Sequence, residues 1–264
     1  ICTYDNFHAE QIIKSLKNKK FIFCEKPICQ TKQEFKKIKK VQKKFNRFHI
    51  SSNFILRNSP QFINLKKKFK NKEFGKIYHM HGEYNYGRIE KITKGWRSKI
   101  PYYSVVLGGA IHLIDLAIFL KDDLPTQVFA TSNKIATKKT NFKYPDFVKA
   151  MFKYKDGCIF SVTANFGCVT PHHHQFNLYG TNKTFIQNID SAKIFFSREK
   201  NKNSITLNKK YINKQKSYIL SNYIDFLTKK TNRIITTKEI FNSMSLCFAI
   251  HDSLKRKKLI KILY

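Results

Sequence analysis

Lysine and histidine can exchange a proton near neutral pH once their surroundings tune them, and two such residues stand where a fold would aim them at a ligand. Lys26 closes the run Lys20-Phe21-Ile22-Phe23-Cys24-Glu25-Lys26-Pro27. Phe21, Ile22 and Phe23 are consecutive large apolar residues, which predicts a strand covered on both faces in a parallel sheet. The charges then fall at its carboxyl end, where open α/β sheets place ligands, and Pro27 stops the ladder just beyond. His112 lies in Gly108-Gly109-Ala110-Ile111-His112-Leu113-Ile114-Asp115. A spacing of three puts His112 and Asp115 on one face of a helix whose other residues are apolar. The pair is either a core histidine satisfied by a carboxylate or part of a site, and the two glycines allow backbone or ligand to approach closely.

Two further clusters carry polar chemistry. In Pro171-His172-His173-His174-Gln175, strand alternation would put His172 and His174 on one face, a two-ligand arrangement for a metal. No third ligand of suitable spacing is evident, so no metal site is expected. Trp96-Arg97 pairs an aromatic ring with a guanidinium, as in core packing or as a cap over a cofactor.

The elements that must position these residues follow from the apolar pattern. Asn6 or Asp5 is expected to cap a helix through Ala9, Ile12, Ile13 and Leu16 that ends at Asn18. Thr31 is expected to cap a second helix that buries Phe35, Ile38, Val41 and Phe45 and exposes its lysines. Phe48 to Phe54 reads as the next strand, with Asn53 near the same sheet edge as Lys26. Ser59-Pro60 opens a helix through Phe69, which Gly75 closes. Strands are then expected at Ile77–Tyr86, Gln127–Ile135, Phe147–Lys155, Cys158–Phe166, Gln175–Tyr179, Thr184–Gln187 and Lys193–Ser197. Asp156-Gly157 is a hairpin signal. A helix at Ala110–Leu120 and two terminal helices, Ser217–Lys229 and Lys238–Lys255, complete the order. The fold class is α/β: the C-terminal part of a Rossmann-type doubly wound domain in residues 1–58, then an α+β domain in 59–264 with a large, mainly antiparallel open sheet. The terminal helices are placed to pack back on the first domain.

Thr3-Tyr4-Asp5-Asn6-Phe7-His8, then Glu25-Lys26-Pro27, then Gly108 to Asp115, in that order, resemble the glucose–fructose oxidoreductase / inositol dehydrogenase / rhizopine-catabolism (Gfo/Idh/MocA) family. Its members carry Thr-Pro-Asn-x-x-His, Glu-Lys-Pro and a Gly-rich stretch leading to His-x-x-Asp. The resemblance implies an oxidoreductase that uses NAD or NADP to transfer hydride to or from a hydroxyl carbon of a sugar, cyclitol or nucleotide sugar. It implies Lys26 and His112 as catalytic residues. Thr3, Asn6, His8, Glu25, Lys26, Pro27, Trp96 and Arg97 would contact the cofactor, and Asn53, Asp115 and His174 the substrate. A homo-oligomer through the second sheet is the expected assembly. Two positions depart from the pattern: Tyr4 replaces the usual Pro, and Gly108 replaces an Asp found in many members. The second departure leaves open a non-catalytic binding or oligomerisation protein on the same fold. The phosphate-cradling Gly-x-Gly-x-x-Gly turn is absent, and Ile1-Cys2-Thr3 reads as the tail of a strand. About 60–70 residues of βαβ units are expected to precede it, and these 264 residues alone are expected to bind a dinucleotide poorly.

Composition narrows the alternatives. The formal net charge is +34, with Lys+Arg at 51 and Asp+Glu at 17. Only 7 of those cations are Arg, the residue favoured for base edges and bidentate phosphate contacts, and the lysines are spread over nearly every segment. A basic nucleic-acid-binding protein is therefore the minor alternative. The six cysteines include no metal-type Cys-x-x-Cys pair, which fits buried free thiols in a reducing, cytoplasmic setting. No apolar run is long enough to cross a bilayer.

Overall fold

The computed structural model describes residues 1–199, 203–207, 217–232 and 234–264. A 3-10 turn, Asp5–Phe7, runs straight into helix α1, His8–Lys17. No side chain caps α1, contrary to expectation, because Asp5 and Asn6 lie within the 3-10 turn and Phe7 occupies the N-cap position. Ala9, Ile12 and Leu16 form its buried stripe, and Asn18 ends it, with Nδ2 donating to the Lys14 carbonyl. Helix α2, Lys32–Lys44, joins strand β1, Ile22–Cys24, to strand β2, Ile50–Ser52. The two strands pair in parallel, with Ile22 opposite Ile50 and Cys24 opposite Ser52. Thr31 caps α2 in a reciprocal box with Glu34, each side chain bonding the other's backbone N–H.

The apolar run at β1 is covered less evenly than its composition suggests. Ile22 and Cys24 are buried, but Phe21 is 45% exposed and Phe23 is only half-buried, tilted against Tyr223. Successive strand side chains point to opposite faces, so one face of β1 is fully packed and the other only partly.

Helix α3, Pro60–Lys70, starts at Ser59, whose Oγ accepts from Phe62 N. It ends at Asn71 rather than Gly75. Gly75, at φ +68°, turns the chain into strand β3, Ile77–Asn85, and packs so closely on Thr181 and Asn182 that no side chain fits there. A short helix α4, Glu90–Thr93, a 3-10 turn, Trp96–Ser98, and a π-turn, Val106–Ala110, lead to helix α5, Ile111–Lys121. Then come β4 (Gln127–Asn133), β5 (Phe147–Lys153), β6 (Ile159–Asn165), β7 (His173–Gly180), β8 (Thr184–Gln187), β9 (Ala192–Phe195) and β10 (Ser204–Thr206). Helices α6 (Tyr218–Leu227) and α7 (Thr237–Arg256) and a two-residue β11 (Ile260–Lys261) finish the chain. The short β10 and β11 have no counterpart in the apolar pattern.

Nine strands form one sheet in the order β10-β9-β8-β7-β3-β6-β5-β4-β11. The β3–β6 pair is parallel, and the other pairings are antiparallel. The Asp156-Gly157 turn joins β5 to β6 as expected, with Gly157 at φ +87°. Helices α5 and α7 lie on one face of this sheet, and α7 also reaches β2. There Thr237 Oγ1 accepts from Ile50 N and donates to Ile50 O, both at 3.0 Å. From α6, Tyr223 Oη donates to His49 O. Among the described residues no helix is long and apolar enough to cross a membrane. Cys24, Cys29, Cys158 and Cys247 are buried free thiols, Cys168 is half-buried, and Cys2 is exposed.

Candidate active site

The carboxyl ends of β1 and β2 meet the π-turn that precedes α5, and Lys26 bridges the junction. Its Nζ donates to the Gly108 carbonyl oxygen at 2.6 Å. π-Turns interrupt the regular helical ladder and recur at functional sites. Here the interruption sits one turn before His112. The strand end itself is fixed by short bonds: Ser52 Oγ donates to Cys24 O at 2.8 Å, and Asn53 Nδ2 donates to Glu25 Oε1 at 2.8 Å. Pro27 follows Lys26 through a cis peptide. His8 ties this turn to the N-terminal loop, with Nδ1 2.7 Å from Pro27 O and Nε2 3.0 Å from Thr3 O.

Burial sets the protonation of the central pair. Lys26 is pushed down to about 8, first by desolvation and then by the positive charges of Arg97 and Arg88, with Asp5 and Glu25 opposing. His112 is 5% exposed and held well below the ordinary imidazole range by burial, then by Lys26, His174 and His172. Its Nδ1 is buried without a hydrogen-bond partner among the described residues. The ring lies parallel to Tyr84, 6.3 Å away, and edge-on to His174 and Phe54 at 5.4 and 6.2 Å. A neutral imidazole and a loosely protonated amine thus face one small region, a pair able to take up and return a proton.

The residues expected at the site divide on inspection. Glu25, Lys26, Pro27 and Asn53 stand at the ends of β1 and β2, and His112 and His174 meet edge-on within the field of Lys26. His8 is fully buried with both ring nitrogens on backbone carbonyls, so it holds the Thr3 loop rather than facing a ligand. Thr3 Oγ1 donates to Gln11 Oε1 on the exposed side. Asp115 is the clearest displacement. It is fully buried and turned from His112 to Arg57, whose Nε and Nη2 donate to its two oxygens at 2.8 and 2.9 Å, and Ser243 Oγ donates to Oδ1 at 3.1 Å. Its acceptors are used inside the protein, so it supports α5 and is not placed to hold substrate.

Among the described residues no three His, Cys, Asp or Glu side chains gather closely enough to hold a metal ion. His173 is buried, its Nε2 3.2 Å from Asn85 Nδ2, and His172 is half-buried with Nδ1 3.2 Å from Asn85 O. Trp96 stacks on Tyr4 at 4.8 Å and 15°, with the Arg97 guanidinium over its ring at 4.3 Å.

Five contributors went unnoticed in the sequence. Asp5, not Asn6, faces Lys26 and Arg97. Counting from Thr3 would have found it, since Asp5 occupies the Asn position of Thr-Pro-Asn-x-x-His. Tyr84 and Tyr86 line the wall beside His112, His172 and Phe166. Arg88 lies over Tyr86 at 4.7 Å. Tyr103 is buried beside Gly108. Strand alternation places Tyr84 and Tyr86 on one face, a usable signal, whereas nothing local marks Tyr103.

The comparisons with known proteins bear on this geometry. Residues 1–52 match the model described as "Oxidoreductase family, NAD-binding Rossmann fold", and residues 62–186 match the "GFO/IDH/MocA C-terminal domain". The chain belongs to the Gfo/Idh/MocA oxidoreductase family. An inositol 2-dehydrogenase/D-chiro-inositol 3-dehydrogenase of Lactiplantibacillus plantarum is 28% identical over 159 residues, 60% of this chain and 43% of that protein. A 2,7-anhydro-N-acetylneuraminate hydratase of Escherichia coli is 27% identical over 150 residues, 55% of this chain and 39% of that protein. The matches thus span less than half of these relatives' length. A levoglucosan dehydrogenase solved with NADH shares the fold with a TM-score of 0.84 and 20% identity, over 99% of this chain and 78% of that one. At the edge of β1 and β2, the atoms that would suit the nicotinamide–ribose end of a dinucleotide are the Lys26 donor and the Asn6 and Asn53 Oδ1 atoms, buried acceptors without a donor among the described residues.

Proposed function

We propose that the protein carrying this chain is an NAD(P)-dependent oxidoreductase acting on a hydroxyl-bearing carbon of a sugar, cyclitol or nucleotide sugar. Residues 1–58 lie on the cofactor side and 59–264 on the substrate side. The observation that carries the reading is the Lys26 ammonium bonded to Gly108 O one turn before a buried, neutral His112. A nicotinamide held beside Lys26, Asn6 and Asn53 would supply the hydride acceptor or donor. Lys26 and His112 handle the accompanying proton: the neutral form of either takes it from the substrate hydroxyl, and the ammonium form of Lys26 stabilises negative charge growing on that oxygen. The aromatic wall of Tyr84, Tyr86 and Phe166 limits access of water. Relatives named for inositol and for 2,7-anhydro-N-acetylneuraminate support a polyhydroxylated substrate.

The test is NAD(P)H formation against a panel of cyclitols, hexoses and nucleotide sugars in the protein that carries these 264 residues. Lys26→Met and His112→Ala are each expected to lower kcat/KM by about 10²–10⁴. Undiminished turnover in both variants would sink the assignment.

Assembly is a second element of the proposal. The sheet face away from α5 and α7 exposes Phe129, Met151 and Ile159 on adjacent strands β4, β5 and β6. An apolar band of this kind suits pairing with a second copy. Light scattering at micromolar concentration is expected to show an oligomer that Met151→Lys weakens, and a monomeric wild-type chain removes this part of the proposal.

A further inference from the structure

Position 108 carries no side chain, and its space is already filled. A side-chain carbon on Gly108 would meet Cζ of Tyr103 at 2.8 Å and the Tyr103 hydroxyl closer still. Tyr103 is 3% exposed, and its phenol is held well above the ordinary range, chiefly by burial, so it stays neutral. The Arg97 guanidinium packs between two rings, its carbon 4.3 Å from the centre of Trp96 and 6.0 Å from the centre of Tyr103. Trp96 is backed by Tyr4. A neutral hydroxyl, with a guanidinium beyond it, therefore stands where an acidic side chain at 108 would project.

This arrangement reverses the local charge. Lys26, Arg88 and Arg97 lie close enough to influence one another, whereas the carboxylates in the same field are Asp5 and Glu25. Glu25 is engaged by Asn53. Among the described residues Arg97 forms no ion pair within the 4.0 Å that defines one, and its planar fork suits a carboxylate or a phosphate. His112, His172 and His174 complete the wall, and all three are held neutral by burial, so Asp5 is the carboxylate left to face three cations.

We propose that Arg97, packed against the Trp96 and Tyr103 rings near Lys26, forms a subsite for a carboxylate on the substrate, so that the preferred substrates are sugar acids or carboxylated polyols rather than neutral ones. The proposal rests on the oxidoreductase reading for the meaning of "substrate" but not for the binding itself. A dinucleotide phosphate offers the same chemistry to a guanidinium, and the experiment separates the two sources.

The experiment is calorimetric titration of the intact protein with glucuronate, with glucose and with NADH, for wild type, Arg97→Gln and Tyr103→Phe. Tyr103→Phe keeps the packed ring and removes the hydroxyl. Wild type is expected to bind glucuronate about tenfold or more tighter than glucose, the scale of one charge-assisted bidentate contact. Arg97→Gln is expected to bring the ratio near one, and Tyr103→Phe to reduce it by about threefold with circular dichroism unchanged. Equal binding of acid and neutral sugar by wild type overturns the proposal. So does a loss of NADH affinity in Arg97→Gln with the acid-to-neutral ratio intact, which assigns the guanidinium to a cofactor phosphate. Turnover of neutral polyols without acid preference sinks the subsite and leaves the oxidoreductase standing. Arg97-dependent acid binding without turnover of any polyol does the reverse.

Discussion

Lys26 owes its reactivity to a conflict among its neighbours. Burial and the guanidinium groups of Arg97 and Arg88 push its proton off, while Asp5 and Glu25 hold it on, and the balance falls at about 8. If neutral Lys26 is the base that takes the hydroxyl proton, kcat/KM for alcohol oxidation rises with pH and levels off above about 8. The sign of two substitutions then follows. Asp5→Asn removes a stabilising anion and moves the inflection down, and Arg97→Gln removes a repelling cation and moves it up. Shifts in the opposite senses, read from the pH profile of kcat/KM, would show that another group titrates. Such reasoning could begin at Lys26 because Glu-Lys-Pro at a strand end is visible in the chain. It could not reach Tyr103 or Arg97 as partners, since their meeting with Gly108 depends on how the 96–105 segment folds back over the π-turn.

Helix α5 shows what spacing can and cannot say. Three residues apart on a helix do share one side, as expected of His112 and Asp115. Yet α5 is buried on nearly all sides, so its polar residues are drawn to different neighbours: His112 toward Tyr84 and His174, Asp115 toward Arg57 and Ser243. Arg57 comes from a 3-10 turn, Ile55–Asn58, and its Nη1 also donates to Glu239 Oε1 in the first turn of α7 at 2.6 Å. One guanidinium, 2% exposed, thereby joins the end of the β2 region, α5 and α7. Asp115→Ala would strand that charge in the interior, at a cost of about 3–5 kcal/mol in denaturant unfolding. A loss below about 1 kcal/mol would mean that Glu239 alone satisfies Arg57. By contrast Thr31, Ser59 and the Asp156-Gly157 turn were legible because caps and turns are local chemistry. The parallel register of β3 with β6 was not, because pairing at that sequence distance is decided by packing.

Charge governs the molecule as a whole. At +34 the chain repels itself, and salt relieves that repulsion by screening, so Tm is expected to rise between low and moderate ionic strength. Acid acts in the opposite sense through the buried histidines. Burial holds His112 and His174 well below their ordinary range and pushes His172 and His251 down to about 4. In the unfolded chain the same imidazoles take up protons near 6.5. As pH falls below that value the unfolded state binds more protons than the folded one, and stability is lost until the folded groups titrate, by at most about 1.4 kcal/mol per pH unit for each histidine. The carboxylates lowered by their partners, Glu73, Glu83, Asp156 and Glu239, stay ionised through this window and contribute only further down. Thermal melts between about pH 7 and pH 5 should therefore show a falling Tm. Added salt should recover the part due to net repulsion and leave the histidine part. His251, bonded to Ser104 Oγ at 2.7 Å and outside the pocket, provides the control. His251→Gln should flatten the acid side of the curve by one histidine's share, and an unchanged slope would mean that this half-buried ring does not set the acid limit of the fold.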